Sequence, residues 1–144
     1  MPAENRPLRA TLVTAVLAAA VAWGAAAAGT SKPTLYRASQ ATAGALPYAA
    51  NCSACHGQRL EGGAGPPLSG SALAVRARSE RLTVGDMFSF LAQQMPLNEP
   101  GTLRRDEYVD IMAFILRANG YPAGRTALTY SAAMKSRVRI ASRP

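Results

Sequence analysis

Cys52-Ser-Ala-Cys55-His56 gathers both cysteines and the single histidine of the chain into one short run. C-x-x-C-H is the spacing at which a haem is attached covalently. Two thiols three residues apart on a helical turn project on one side, where both reach the vinyl groups of one porphyrin edge, and the adjacent imidazole is turned toward the iron. The competing chemistries lack their other parts. A half zinc site lacks its remaining ligands, because the chain has no further Cys or His. A thiol–disulfide motif of the thioredoxin kind needs a βαβ setting, and the sequence carries no strand pattern.

With His56 the only histidine, the second axial donor has to be another side chain, and methionine is the usual remaining one. Met1 lies in the leader, Met134 lies in a basic tail, and Met87 and Met112 fall at apolar helical positions where core packing is expected. Met95 stands differently, at the end of a helical run and before Pro96, in Gln-Gln-Met-Pro-Leu-Asn-Glu-Pro-Gly. Such a loop brings a polarizable thioether to an open haem face. An open or weakly ligated iron is the competing reading.

Three stretches carry the helical signals that would position these groups. Residues 48–56 follow Pro47, which suits a first helical turn because its missing N–H would go unused there. Thr83-Val-Gly-Asp86 has the form of a capping box and precedes an apolar run, 87–91, that ends before Pro96. Over 102–120, Leu103, Tyr108, Ile111, Met112, Ile115 and Leu116 recur at three- and four-residue spacing, and Asn119-Gly120 supplies a left-handed stop. Between the first two, glycine at 57, 62, 63, 65 and 70 with Pro66-Pro67 forbids a regular element and predicts a loop whose backbone approaches something closely. The fold class is all-α.

The composition agrees. A chain of 144 residues with 49% hydrophobic and 17% charged residues is one small globular domain, which excludes a disordered tail, a collagen-like repeat and a coiled coil. Aromatics make up 6%, and the one Trp, Trp23, lies in the leader, so the interior is filled by aliphatic side chains or by a large flat apolar body such as a haem. The net charge of +8 admits nucleic acid, an anionic membrane face, an acidic protein or a bound anionic group. Residues 1–28 carry Arg6 and Arg9 followed by an almost uninterrupted apolar stretch ending in small residues, the form of an export signal. An uncleaved membrane anchor is the competing reading, weakened by Thr11, Thr14 and Gly24. Both readings deliver the chain to the periplasmic side and set nucleic acid aside.

Residues 29–43 show no apolar period and are expected to form a linker or loose arm, 44–124 the folded domain, and 125–144 a basic tail. That tail, with Arg125, Lys135, Arg137, Arg139 and Arg143, either docks on an acidic partner or anionic lipid or is a solvated end packed through Leu128, Val138 and Ile140; the second is favoured.

Over about 44–124 the chain resembles the class I, bacterial monohaem c-type cytochromes. The resemblance implies a small cytochrome c fold, three to five helices around one covalent haem c held by Cys52 and Cys55, with His56 and Met95 as axial ligands. Gly44 and Tyr48 match small and aromatic residues of the family's first helix, which implies Ile111 and Phe114 as their partners. Gly65-Pro66-Pro67-Leu68 resembles the family's Gly-Pro-x-Leu loop. That implies that the Pro66 carbonyl accepts the His56 ring N–H, fixing the tautomer, and that Leu68 lies against the porphyrin. Met95-Pro96 resembles the axial-methionine loop, and 108–124 looks like cytochromes that accompany periplasmic, often quinoprotein, dehydrogenases. Two departures stand out. Pro47 falls where the family's first helix continues, which puts the Gly44 contact in question. Where many relatives place a Trp at a haem propionate, this chain has Arg76, Arg78 and Arg81, either a charged substitute or a solvated basic face.

The functional expectation is a periplasmic electron carrier, not an enzyme, soluble or anchored by its leader, exchanging single electrons with transient redox partner proteins. A haem sensor whose Met95 bond breaks to admit a small molecule is one alternative. A fixed electron-transfer subunit of a membrane dehydrogenase or oxidase is the other.

Overall fold

The computed structural model describes residues 31–141; the leader expected over 1–28 and Arg143 of the tail lie outside the described residues. Within them the chain forms α1 (Ala38–Ala43), α2 (Ala45–Asn51), α3 (Ser53–His56), α4 (Gly70–Ser79), α5 (Val84–Gln94), α6 (Arg105–Ala118) and α7 (Tyr130–Met134). The all-α expectation is met. Taking the bent run α1 to α3 as one helix, five helical units surround the core, and no helix among the described residues is long and apolar enough to cross a membrane.

Helix α6 is the centre of the packing. Tyr108, Val109, Ile111, Met112, Ala113, Ile115 and Leu116 are all buried, so apolar residues surround most of its circumference rather than one stripe. Its N-terminus is closed where the Glu107 carboxylate accepts from the Arg104 backbone N–H at 2.9 Å, and Gly120 ends it at φ 77°. The α1–α2 run crosses it at Gly44, where a Cβ would overlap the Asp110 carbonyl, so only glycine lets the two backbones meet. One turn on, Tyr48 lies against Phe114, ring centroids 5.0 Å apart. The contacts placed in question by Pro47 are therefore made: Pro47 sits in the first turn of α2, where its ring displaces no helical hydrogen bond.

The linker expected over 29–43 is corrected from Tyr36 onward. Tyr36 is buried, with its hydroxyl donating to the Tyr121 carbonyl at 2.7 Å, and α1 follows with Ala41 fully buried. The Gln40 side chain ties this helix to the distant tail, accepting from the Leu128 N–H at 2.8 Å and donating to the Leu128 carbonyl at 2.9 Å. Tertiary contacts hold what local propensity does not. The tail likewise closes the core: Leu128, Ala133 and Ile140 are buried, and Phe88 meets Tyr130 edge-on at 5.0 Å.

Helix α5 carries two apolar stripes side by side. Val84, Phe88 and Ala92, four apart, face the core, while Met87, Leu91 and Met95, also four apart, line a cleft. Its start is the expected capping box: Thr83 Oγ1 accepts the Asp86 N–H at 3.1 Å, and the Asp86 carboxylate accepts the Thr83 N–H at 2.9 Å. Helix α4, which buries only Leu73, Ala74 and Ala77, carries no periodic apolar face in the sequence.

Candidate functional site

The C-x-x-C-H run folds as a break and a turn. Cys52, at φ −126° and ψ −33°, ends α2, and α3 begins at the next residue, with the His56 N–H returning to the Cys52 carbonyl at 2.9 Å. Cys52 is buried and Cys55 exposed, yet both line the same cleft, the common side that their spacing predicts. Burial pushes the Cys52 thiol up to about 11. Gly57, at φ 80°, stops α3, and its carbonyl accepts the Tyr48 hydroxyl at 2.7 Å. Burial, then the neighbouring Cys52 and Glu61, raises that phenol to about 12, so it stays protonated as a donor.

The glycine-rich loop then folds back over the imidazole. The Gly62 N–H reaches the His56 carbonyl at 2.8 Å and the Gly65 N–H reaches the Cys55 carbonyl at 2.8 Å. A Cβ on Gly65 would stand 2.9 Å from His56 Cε1, which identifies the close approach that the loop's composition requires. His56 is 8% exposed, and its Nδ1 lies 2.8 Å from the Pro66 carbonyl, so Nδ1 carries the proton and Nε2 is left as the donor.

Facing these groups is a cleft of about 1060 Å³. Its lining is mostly apolar: Leu68, Leu73 and Leu82 from the loop and α4 side, Met87 and Leu91 from α5, Ile111 and Ile115 from α6. Cys52, Cys55, His56 and Met95 all open onto it. The residues present fit a haem c: two thiols on one side, an imidazole nitrogen oriented by its second hydrogen bond, a thioether, and apolar walls enclosing more than a drug-sized space. No group of three or more His, Cys, Asp or Glu side chains suited to a metal ion occurs among the described residues.

Of the remaining expected site residues, Pro66 and Leu68 line the cleft, and so does Arg76, which pairs with Glu80 at 3.3 Å. Arg78 and Arg81 do not reach it, which narrows the expectation for the arginine segment to Arg76. Arg78 is two residues on from Arg76 in α4 and so on the opposite side of the helix, and Arg81 lies past its end at φ 55°. Met87, expected in the core, is half-buried against it and lines the cleft as well, as Met95 does.

Two supporting residues carry no sequence signal beyond helix pattern. The Tyr108 hydroxyl donates to the Met95 carbonyl at 2.7 Å, and Asn119 Nδ2 donates to the Leu68 carbonyl at 2.9 Å. Periodicity marks Tyr108 as buried but says nothing of where its hydroxyl goes. An Asn before a Gly reads as a helix stop whatever its amide does.

An all-α domain of this size, with a covalent-attachment motif and an imidazole–thioether donor set on one apolar cleft, defines a c-type cytochrome. A family model described as cytochrome c oxidase, cbb3-type, subunit III matches residues 39–115, more than half of the chain, and the protein belongs to this family of cytochrome domains. The match begins inside α1, consistent with a domain that starts before Gly44. Among solved structures, the chain is similar to one from the crystal structure of the sulfane dehydrogenase SoxCD from Paracoccus pantotrophus, with 25% identity and a TM-score of 0.50 over 72% of this chain. The region spans 54% of that chain, about half its length. No curated protein matches the sequence.

Proposed function

We propose that the protein is a monohaem electron carrier on the periplasmic side of the membrane, receiving single electrons from a dehydrogenase and passing them to a terminal acceptor. The observation that carries this reading is the shared cleft of His56 and Met95, with the His56 ring fixed by the Pro66 carbonyl. When bound, a haem c supplies reversible one-electron chemistry at its iron. The chain's part is to hold the same imidazole and thioether in both oxidation states, so that little has to move when an electron enters or leaves. The Leu68, Leu91 and Ile115 side chains keep water from the cleft, and a thioether donor favours the reduced state. Phe90 at 58% and Leu97 at 76% exposure stand at the cleft mouth, where a partner gains access. The residues at 1–28 support export, with or without retention as an anchor.

A second reading is favoured by the two similarities, each of which names a larger oxidoreductase: the domain serves as a fixed electron-transfer subunit of a membrane or periplasmic complex. Full-length protein matured with its haem separates the readings. A carrier takes up one electron per chain in a potentiometric titration, elutes alone, and binds carbon monoxide slowly when ferrous. A fixed subunit co-purifies with its complex in mild detergent. Rapid, complete carbon monoxide binding favours a sensor instead, and pigment lost into acidified acetone overturns the covalent attachment on which all three depend.

A further inference from the structure

The C-terminal segment returns to the start of α5 as a short antiparallel pairing with the residues between α4 and α5. The Val84 N–H donates to the Val138 carbonyl at 2.8 Å and the Ile140 N–H to the Leu82 carbonyl at 2.9 Å, with Thr83 and Arg139 opposite one another. Extended backbone alternates its side chains, so Val138 and Ile140 turn toward the core while Arg137 and Arg139 turn outward, as does Thr83 opposite Arg139, and Arg81 is exposed in the turn before it. Arg139 Nη1 also donates to the Arg81 carbonyl at 2.8 Å, fixing the two segments together. Lys135 and Arg137 border the neighbouring hollow at the start of α5. Arg81, Lys135, Arg137 and Arg139 are exposed, and none takes part in an ion pair among the described residues. Asp86 sits beside them; hydrogen bonds from Thr83 hold its carboxyl below the usual range, with smaller help from Arg137 and Arg139.

Chain segments more than fifty residues apart thus build one basic ridge, and Leu82 and Asp86 from the same stretch line the cleft. We infer that this ridge is the docking surface for a redox partner that presents a carboxylate-rich protein face next to its own electron-exchange site. The inference rests on the reading of the cleft as a site of one-electron exchange. Position favours a protein over a lipid surface: Lys135 and Arg137 share a hollow with Asp86, which also lines the cleft, so cations next to the cleft orient an oncoming acidic partner with its redox centre toward the cleft mouth and raise the encounter rate. Among the described residues, the Arg137 and Lys135 side chains make none of the hydrogen bonds that hold the fold, so they are available for this task.

The test uses the full haem-loaded chain in its ferrous form, oxidised by hexacyanoferrate(III), which accepts the one electron lost by the protein and becomes hexacyanoferrate(II). Arg137→Glu is expected to slow this anionic oxidant about tenfold at low ionic strength and to speed oxidation by cationic tris-phenanthroline cobalt(III), the difference closing at high salt. Arg125→Glu, an equal charge change beside Arg37 at α1, is expected to alter either rate less than about twofold. Lys135→Glu supplies a second ridge variant should Arg137→Glu disturb the start of α5, with far-ultraviolet circular dichroism as the check on folding. Salt-sensitive binding to poly-L-glutamate is expected for the parent and Arg125→Glu and lost in the ridge variants. Equal slowing by Arg125→Glu, or no slowing by the ridge variants, overturns the ridge. Ridge-dependent binding to phosphatidylglycerol vesicles without binding to poly-L-glutamate assigns it to lipid and overturns the protein partner. Failure to oxidise with any reagent is distinct from these and strikes the electron-exchange reading itself.

Discussion

The hydroxyl of Tyr108 donates to the backbone carbonyl of Met95 at 2.7 Å, and in doing so α6 fixes the point at which the α5 stripe turns into the methionine loop. Tyr108 is 2% exposed, so this bond is formed with little competition from water. Gly101 adds a second, longer bond from its N–H to the same carbonyl, at 3.3 Å. Tyr108→Phe keeps the ring and removes the stronger tether. A stability loss of about 1 kcal/mol is expected, with a larger effect on function: the loop opens more often, and carbon monoxide binds the ferrous protein several-fold faster. Stopped-flow mixing measures this, and an unchanged rate shows that the tether does not hold the thioether.

At the far end of the same helix, Asn119 ties down the loop that carries Pro66. Its amide nitrogen donates both to the Leu68 carbonyl and to the Ile115 carbonyl, each at 2.9 Å, while its Oδ1 is buried without a partner among the described residues. Two acceptors fix the orientation of the amide at the cost of that oxygen. Asn119→Ala leaves the Leu68 carbonyl without its donor, and a loss of about 1–3 kcal/mol in chemical denaturation is expected. Because the loop carries the acceptor for the His56 ring N–H, the midpoint potential is expected to shift as well. A variant with unchanged stability and potential means that the loop is held without Asn119.

The Gly44 crossing makes a sharper demand. A Cβ there meets backbone, the Asp110 carbonyl and the Ile111 N–H, rather than the yielding end of a side chain. Gly44→Ala therefore has to push α1 and α2 off α6, with Tyr48 and the start of the C-x-x-C-H turn moving along. An overpacking cost at or above the upper end of about 1–3 kcal/mol is expected. The thermal midpoint of the haem-loaded protein measures it, and a midpoint within a degree or two of the parent removes the crossing as a determinant of the fold.

How much of this was legible follows from what each residue depends on. The C-x-x-C-H turn, the Thr83–Asp86 box and the α6 period are local patterns, and local patterns survive without knowledge of the rest of the chain. The loop signal at 57–70 was legible too, because glycine at 65 answers a steric need that composition records. Helix α1, with the sequence ASQATA, has no such pattern: its order comes from Gln40 reaching Leu128 and from Gly44 reaching Asp110, partners far away in sequence. Helix α4 buries only Leu73, Ala74 and Ala77, too few large apolar residues to mark a face. The same weakness left three arginines as equal candidates for the cleft. Only the helical phase, which the structure supplies, separates Arg76 from Arg78.

The box that starts α5 makes a pH-dependent contribution whose sign follows from Asp86. Its carboxyl is held below the ordinary range chiefly by the Thr83 hydroxyl, at 2.7 Å, and the Thr83 N–H, at 2.9 Å. A carboxyl depressed in the folded state adds stability that is fully present above its unfolded value of about 3.9 and is lost as the pH falls through the lower folded value. Asp86→Asn is accordingly expected to melt below the parent near neutral pH, with the gap narrowing under about pH 4 and closing once the parent's folded carboxyl is protonated. Thr83→Ala removes the partner oxygen instead and is expected to cost about 0.5–2 kcal/mol at neutral pH. It also releases Asp86 toward its ordinary value, so the acid limb of its stability curve moves up. Because Thr83 stands opposite Arg139, both variants are expected to loosen the basic ridge, raising hydrogen exchange at the Val84 and Ile140 amides together. Exchange measured by mass spectrometry reads both amides. Loosening of one without the other means that the tail and the start of α5 are not a single unit.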